Sequence, residues 1–248
     1  MRRRLIGLLA GPILIAQCGP SQCAPEPPAP PPVTVTTTPP PPVTAPPVTT
    51  PPTTSWSFLS SRDGLYTHWT ACSDPITYQI DAVTKGGPTA QERSAIVAAL
   101  AGASAASGHT FSYVGDGGSE LLPGADAVIG VDDLPTGTLG RGGGAFNGAF
   151  EMVSGTAYVD VGLQPDLLAT TLLHEVGHLL GLGHATDRNQ LMYAAVRQVA
   201  AEPPRFLQAY QPGDLEGLRL VGTSVQTAPC LSDLRVGDDE PIGEIILD

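Results

Sequence analysis

The sequence predicts an α+β domain carried behind a non-globular N-terminal region. Three observations lead there. Five short segments have strand-like composition or alternation, three longer ones have helical spacing with end signals, and the opening stretch is too rich in proline to pack. Of the 248 residues, roughly 180 are left for a core, enough for one sizeable domain. The net charge of -12 excludes a non-specific nucleic-acid binder, which needs cationic side chains for phosphate contacts. Lys85 is the sole lysine, and nothing functional follows from that.

Residues 1–23 read as an export signal. Three arginines precede an apolar run from Leu5 to Ala16, which is too short to cross a hydrocarbon core of about 30 Å as a helix. "IAQC", ending at Cys18, resembles the lipobox of bacterial lipoproteins, whose cysteine is acylated after cleavage. Gln17 departs from the small residue normal there. A lipid-anchored form and a free secreted form therefore both stand, and membrane contact is expected only through that anchor. Residues 24–54 are nearly all Pro, Thr and Val. They favour polyproline II and would reach at most about 95 Å, either as a semi-rigid spacer whose threonines could carry O-linked sugars or as a plain disordered tail. Outside the cytoplasm cysteines tend to pair. Cys72 and Cys230, the two in the globular part, would then close a loop of about 160 residues worth roughly 5 kcal/mol, the alternative being two free buried thiols.

The globular region runs from 55 to 248. "ITYQID" (Ile76 to Asp81) alternates and reads as a strand. In "PTAQERSAIVAALAGASAAS", Thr89 and Glu92 have capping-box spacing, and Ile96, Val97 and Leu100 are expected to line one helical face. "HTFSYVG" and "ADAVIGVDD" are strands, the second central. "GTLGRGGGAFNGAF" predicts loops around a short edge strand. "GTAYVDVG" is a further strand. A long helix starts at Pro165, the favoured first position for proline, and reaches about Leu180, with Leu168, Leu172, Val176, Leu179 and Leu180 as core. A last helix covers Pro212 to Gly222. The acidic tail beyond it has no clear assignment.

Chemistry concentrates in "HEVGHLLGLGH". Three of the chain's five histidines, His174, His178 and His184, lie within these eleven residues. Positions i and i+4 share a helix face, so His174 and His178 can offer nitrogens to one metal. Glu175 sits about 100° round, out of the ligand set but able to reach a water. Gly181 and Gly183 permit a sharp turn after the helix that would bring His184 back as a third ligand. Three neutral imidazoles and an open fourth position suit a catalytic Zn²⁺. His68 and His109 stand alone and read as ordinary surface or core histidines. "GRGGG" lacks the Lys-Ser/Thr of a P-loop.

The motif resembles the consensus of metzincin zinc metalloendopeptidases. Met192, eight residues after His184 in "LMYAA", resembles their methionine turn, and "LMY" is most similar to the matrixin branch. "CSDPITYQID", a helix followed by "HTF", a glycine-rich stretch and "PGDLEGLRLVG" occur in the same order in bacterial matrixin-like proteins. The resemblance extends from about Trp56 to Gly222 and is specific in its last third. It implies a zincin-like, twisted mixed sheet of about five strands with three main helices. It also implies a secreted or envelope-anchored endopeptidase, expected to be monomeric, in which His174, His178 and His184 hold zinc and Glu175 is the general base and acid. Structural calcium is a further implication. Asp126, Asp132, Asp133 and Asp160 are available for it, although they form no ordered loop of the EF-hand kind and a solvated surface is the favoured reading. The "PRCGxPD" latency motif of vertebrate matrixins is absent. Substrate is expected to be a protein or peptide, added to an exposed strand edge near Ala145 to Phe150. The specificity pocket is expected from Tyr193 to Pro204 and the loop before the last helix, with Tyr193 either an oxyanion or pocket-wall residue or simply packed. The competing reading is a surface module that binds zinc and a partner without cutting. The intact Glu175 argues against it, since metal alone needs no base there.

Overall fold

A computed structural model describes residues 55–70, 73–195, 198–199, 205–222 and 243–247, all within a unit spanning Thr50–Asp248. The export signal, the Pro/Thr stretch and all four cysteines (Cys18, Cys23, Cys72 and Cys230) lie outside the described residues, and with them the proposed lipidation and disulfide. No described helix is long and apolar enough to cross a membrane.

The centre is a six-stranded mixed sheet: β1 (Ile76–Asp81), β2 (Phe111–Gly117), β3 (Ala127–Asp132), β4 (Gly140–Phe146), β5 (Met152–Asp160) and β6 (Gly243–Leu247). Its spatial order is β6-β4-β5-β3-β1-β2. β2, β1, β3 and β5 run parallel, while β4 is antiparallel to β5 and β6 is antiparallel to β4. Parallel neighbours require a crossover, and helix α1 (Ala90–Ser107) supplies it between β1 and β2. β3, expected to be central, is flanked on both sides and almost wholly buried. Together with the three main helices this is the α+β metzincin-like fold.

α1 starts at the expected capping box. The Thr89 hydroxyl accepts from the Glu92 N–H at 3.3 Å, and the Glu92 carboxylate accepts from the Thr89 N–H at 2.7 Å. Gly108 ends it in a left-handed conformation. Its buried face is Ile96, Ala99, Leu100 and Ala103, and Val97 is 55% exposed. The expected face is thereby corrected: Val97 lies 100° from Ile96, whereas the alanines three and seven residues on complete the stripe. They are small enough to bring α1 against helix α2 (Pro165–Leu179), where Gly102 meets Leu173. α2 is buried along almost all of its second half, and every predicted core leucine, from Leu168 to Leu180 just past its end, is buried. It packs on β4 and β5 from one side and on α1 from another. Helix α3 (Pro212–Val221) closes the other end.

The sheet matches the expected architecture, and three details are refined. The sheet has six strands, because the unassigned acidic tail contributes β6. The glycine-dense segment forms a seven-residue strand rather than a short one. Ala145–Phe150 is not an open edge: Asn147 to Phe150 form a turn closed by Phe150 N–H to Asn147 C=O at 2.9 Å, and β6 pairs with the outer side of β4.

Candidate metal centre

His174 and His178 project from one face of α2, as i and i+4 must. Their Nε2 atoms stand 3.0 Å apart. The helix ends at Leu179, and Gly181 then takes φ +103°, a conformation in which a β-carbon would lie 2.5 Å from the Thr67 carbonyl oxygen. This is the turn that the glycine spacing implied. Leu182–Gly183 next pair antiparallel with Ser57–Phe58, and the Ser57 hydroxyl donates to the His184 carbonyl at 2.8 Å. The strap at the start of the described domain thus fixes the third histidine. One ring nitrogen from each of the three rings lies within 4.8 Å of the others, the only such group of metal-binding side chains among the described residues.

The ring tautomers follow from the neighbours. His174 Nδ1 lies 2.8 Å from the Leu191 carbonyl and His178 Nδ1 2.7 Å from the Leu182 carbonyl. A carbonyl only accepts, so each Nδ1 carries the proton and each Nε2 presents a bare lone pair. Two such lone pairs 3.0 Å apart repel unless a cation lies between them. His184 Nε2 is also buried without a hydrogen-bond partner. Tetrahedral zinc with Zn–N near 2.0–2.1 Å needs nitrogens about 3.4 Å apart, within reach of this cluster. The residues fit the ion. Burial holds the His174 imidazolium down to about 4, with His184 adding to the effect. Burial also pushes His178 well below the usual histidine range and lowers His184. The three imidazoles are therefore neutral at neutral pH, the state that metal binding requires.

Met192 lies fully buried against the helix. A β-carbon on Gly177 would collide with its sulfur, so the glycine inside "HEVGH" exists to admit the methionine. The turn is held from two sides. Ala185 N–H donates to Met192 C=O at 2.7 Å, and buried Asp214, in the first turn of α3, accepts from Leu191 N–H (2.8 Å), Met192 N–H (3.2 Å) and Gln211 N–H (2.8 Å). Since the Leu191 carbonyl orients His174, Asp214 acts on the centre through the turn. Sequence reading missed Asp214, Gly177 and Ser57. Of these, only Asp214 had a local signal, an acidic residue in the first turn of a predicted helix.

Glu175 is buried and lies beside β4. A β-carbon on Gly140 would collide with its Oε1, and one on Gly142 would approach Oε2 to 2.9 Å. The glycines of "GRGGG" give room to this carboxylate. The aspartates considered for calcium are otherwise engaged: Asp126 with Thr77, Asp132 with Arg141, Asp133 with Lys85, and Asp160 with the Leu134 N–H. His68 is half-buried with Nδ1 on the Tyr66 carbonyl, and His109 is fully buried. Tyr193 is half-buried and bridges to Ala185. Much of the expected specificity segment, residues 196–197 and 200–204, lies outside the described residues.

The sheet, the helix that carries two histidines, the glycine turn and the buried methionine together build a three-histidine cluster that could hold a metal ion beside a buried glutamate. The family model for Matrixin, a peptidase family, matches residues 158–217, from the end of β5 to the middle of α3. It contains all three histidines, Glu175, Met192 and Asp214. No curated protein matches the chain.

Proposed function

We propose that this chain is an exported zinc-dependent endopeptidase in which His174, His178 and His184 are the metal ligands and Glu175 is the catalytic acid and base. The observation that carries the reading is the convergence of three buried ring nitrogens, two of them bare by virtue of their carbonyl partners, beside a buried glutamate. Bound there, zinc supplies Lewis acidity and brings the pKa of water to about 7. The protein's own groups do the rest. Glu175 takes the proton of the attacking water on its carboxylate and later delivers it to the leaving amine. Gly140 and Gly142 keep side chains away from that carboxylate, and buried Met192 packs against Gly177 of the histidine-bearing helix. An extended peptide added antiparallel to β4 would pass next to Glu175. The arginine-led apolar N-terminus supports export, and Cys18 is the point at which a lipid would anchor the protein.

The test is Glu175→Ala. The variant should fold and hold about one zinc per chain, yet lose peptide cleavage by several orders of magnitude, as loss of an acid-base group and its water-positioning requires. Casein cleavage at the wild-type rate by that variant would sink the assignment. A wild-type protein that holds zinc but cuts nothing in a broad peptide library would instead support a binding module.

A further inference from the structure

β6 occupies the very edge along which a substrate would have to lie. Its register places Ile245 opposite Gly144, Ile246 opposite Gly143 and Leu247 opposite Gly142. Directly paired residues of antiparallel neighbours project to the same face of a sheet. At Gly142 that face is the one turned to α2, where a β-carbon would lie 2.6 Å from the Glu175 carbonyl oxygen and 2.9 Å from its carboxylate. Ile245 and Leu247 therefore sit on the Glu175 side of the sheet, and both pack half-buried against the core, while Ile246 is exposed. An extended pentapeptide with aliphatic side chains at alternate positions thus runs antiparallel to the strand beside the glutamate.

We propose that residues 243–247 are an internal substrate mimic that closes the β4 edge, so that the full chain is latent until its C-terminal strand is displaced or removed. The proposal rests on the peptidase reading above. The construction of the edge favours a reversible hold over a permanent sixth strand. β4 offers three consecutive glycines, Gly142 to Gly144, along this contact. A β-carbon on Gly143 would collide with the Ile245 carbonyl oxygen, so the two backbones meet with no side chain from β4 between them. Among the described contacts, β6 is retained by main-chain pairing and two half-buried aliphatic side chains, the currency in which any extended peptide would bind. β6 pairs with β4 alone among the described strands. "GRGGG", which has no part in phosphate binding, thereby acquires a role as a strand-accepting edge. The edge also states a substrate class: extended peptides with aliphatic residues two apart.

A tethered segment competes at an effective concentration near the millimolar range, so a strand that binds at about 100 μM when free would keep the edge about 90% filled and cleavage about ten-fold down. The experiment compares the full chain, a chain ending at Ile242, and the full-length double variant Ile245→Asp/Leu247→Asp. Each is assayed twice: for anisotropy of a labelled GEIILD peptide in a Glu175→Ala background, and for cleavage of a quenched peptide library at measured zinc content. Both altered chains should bind the peptide at least about ten-fold more tightly than the full chain does, and should cleave at least about ten-fold faster. Equal binding by all three, or binding by none, overturns the proposal. Improved binding with no cleavage by any chain keeps the closed edge and refutes the peptidase reading. Unchanged cleavage by active enzymes refutes latency while leaving the peptidase intact. If the shortened chain unfolds, the double variant decides. If both lose their cooperative unfolding transition, β6 is a structural strand and the proposal fails.

Discussion

Asp214 offers the sharpest test of how the fold holds the centre. Asp214→Ala removes the acceptor of three backbone N–H groups. Those of Leu191 and Met192 are buried, whereas that of Gln211 is partly exposed and can turn to water. An orphaned buried donor costs about 1–3 kcal/mol, so the two together amount to about 2–6 kcal/mol. One effect opposes this loss. Burial pushes the Asp214 carboxyl up from its ordinary range, and its N–H partners only partly offset that, so removal also relieves a desolvated charge. A net loss of about 3 kcal/mol is expected in urea unfolding of the metal-free protein. The Leu191 carbonyl would then hold His174 less firmly, and zinc affinity in a chelator-competition assay should fall by up to about ten-fold, the lower end of the loss caused by removing a metal ligand's direct partner. Asp214→Asn, which keeps one acceptor oxygen, should fall between the two. Stability within about 0.5 kcal/mol of wild type, together with unaltered zinc affinity, would refute the claim that this carboxylate holds the methionine turn.

Three further outcomes follow from the same geometry. Gly181→Ala should cost about 2–4 kcal/mol in urea unfolding, since alanine disfavours φ +103° and its β-carbon would press on the Thr67 carbonyl; a neutral result would mean that the turn to His184 does not need glycine. Asp81 titrates below the ordinary carboxylate range: burial pushes it up, but the Thr84 hydroxyl, the Thr84 and Val83 N–H groups and the Tyr158 hydroxyl outweigh that. Its folded pKa is depressed, so its stabilisation is complete above the unfolded value of about 4 and is lost as pH falls through the folded one. Asp81→Asn should accordingly destabilise fully at pH 7 and progressively less below about pH 4, and a pH-independent loss in denaturant titrations would contradict this. Zinc at a hundred-fold excess over its Kd should stabilise the metal-free protein by about 2.7 kcal/mol, read as a rise in Tm of several degrees; an equal rise with magnesium would speak against a nitrogen-ligand site.

The local pattern of the chain determined the elements that carry their own signals. The capping box at Thr89 and Glu92, proline at the start of α2 and the alternation in "ITYQID" specify helix or strand within a few residues. His174 and His178 share a face because 3.6 residues make a turn, whatever the rest of the chain does. Gly181 announces the bend because few other residues tolerate its φ. The segment from His174 to Met192 is legible for the same reason: the three histidines, the glycine turn and the methionine lie within about one helix and a loop of each other.

What the tertiary structure decided are facts about neighbours distant in sequence. Gly177 is needed only because Met192 packs on it, and Val97 faces solvent only because the alanines of α1 fit α2. Asp214 matters because its helix happens to start beside the methionine turn. Ser57 holds His184 across a sequence separation of 127 positions. The glycines of β4 and the short aliphatic run at the C-terminus each read as weak, ambiguous segments alone. Their pairing beside Glu175 exists only once the sheet has formed, because a strand edge is a property of two chains of hydrogen-bonding groups brought together and not of either one.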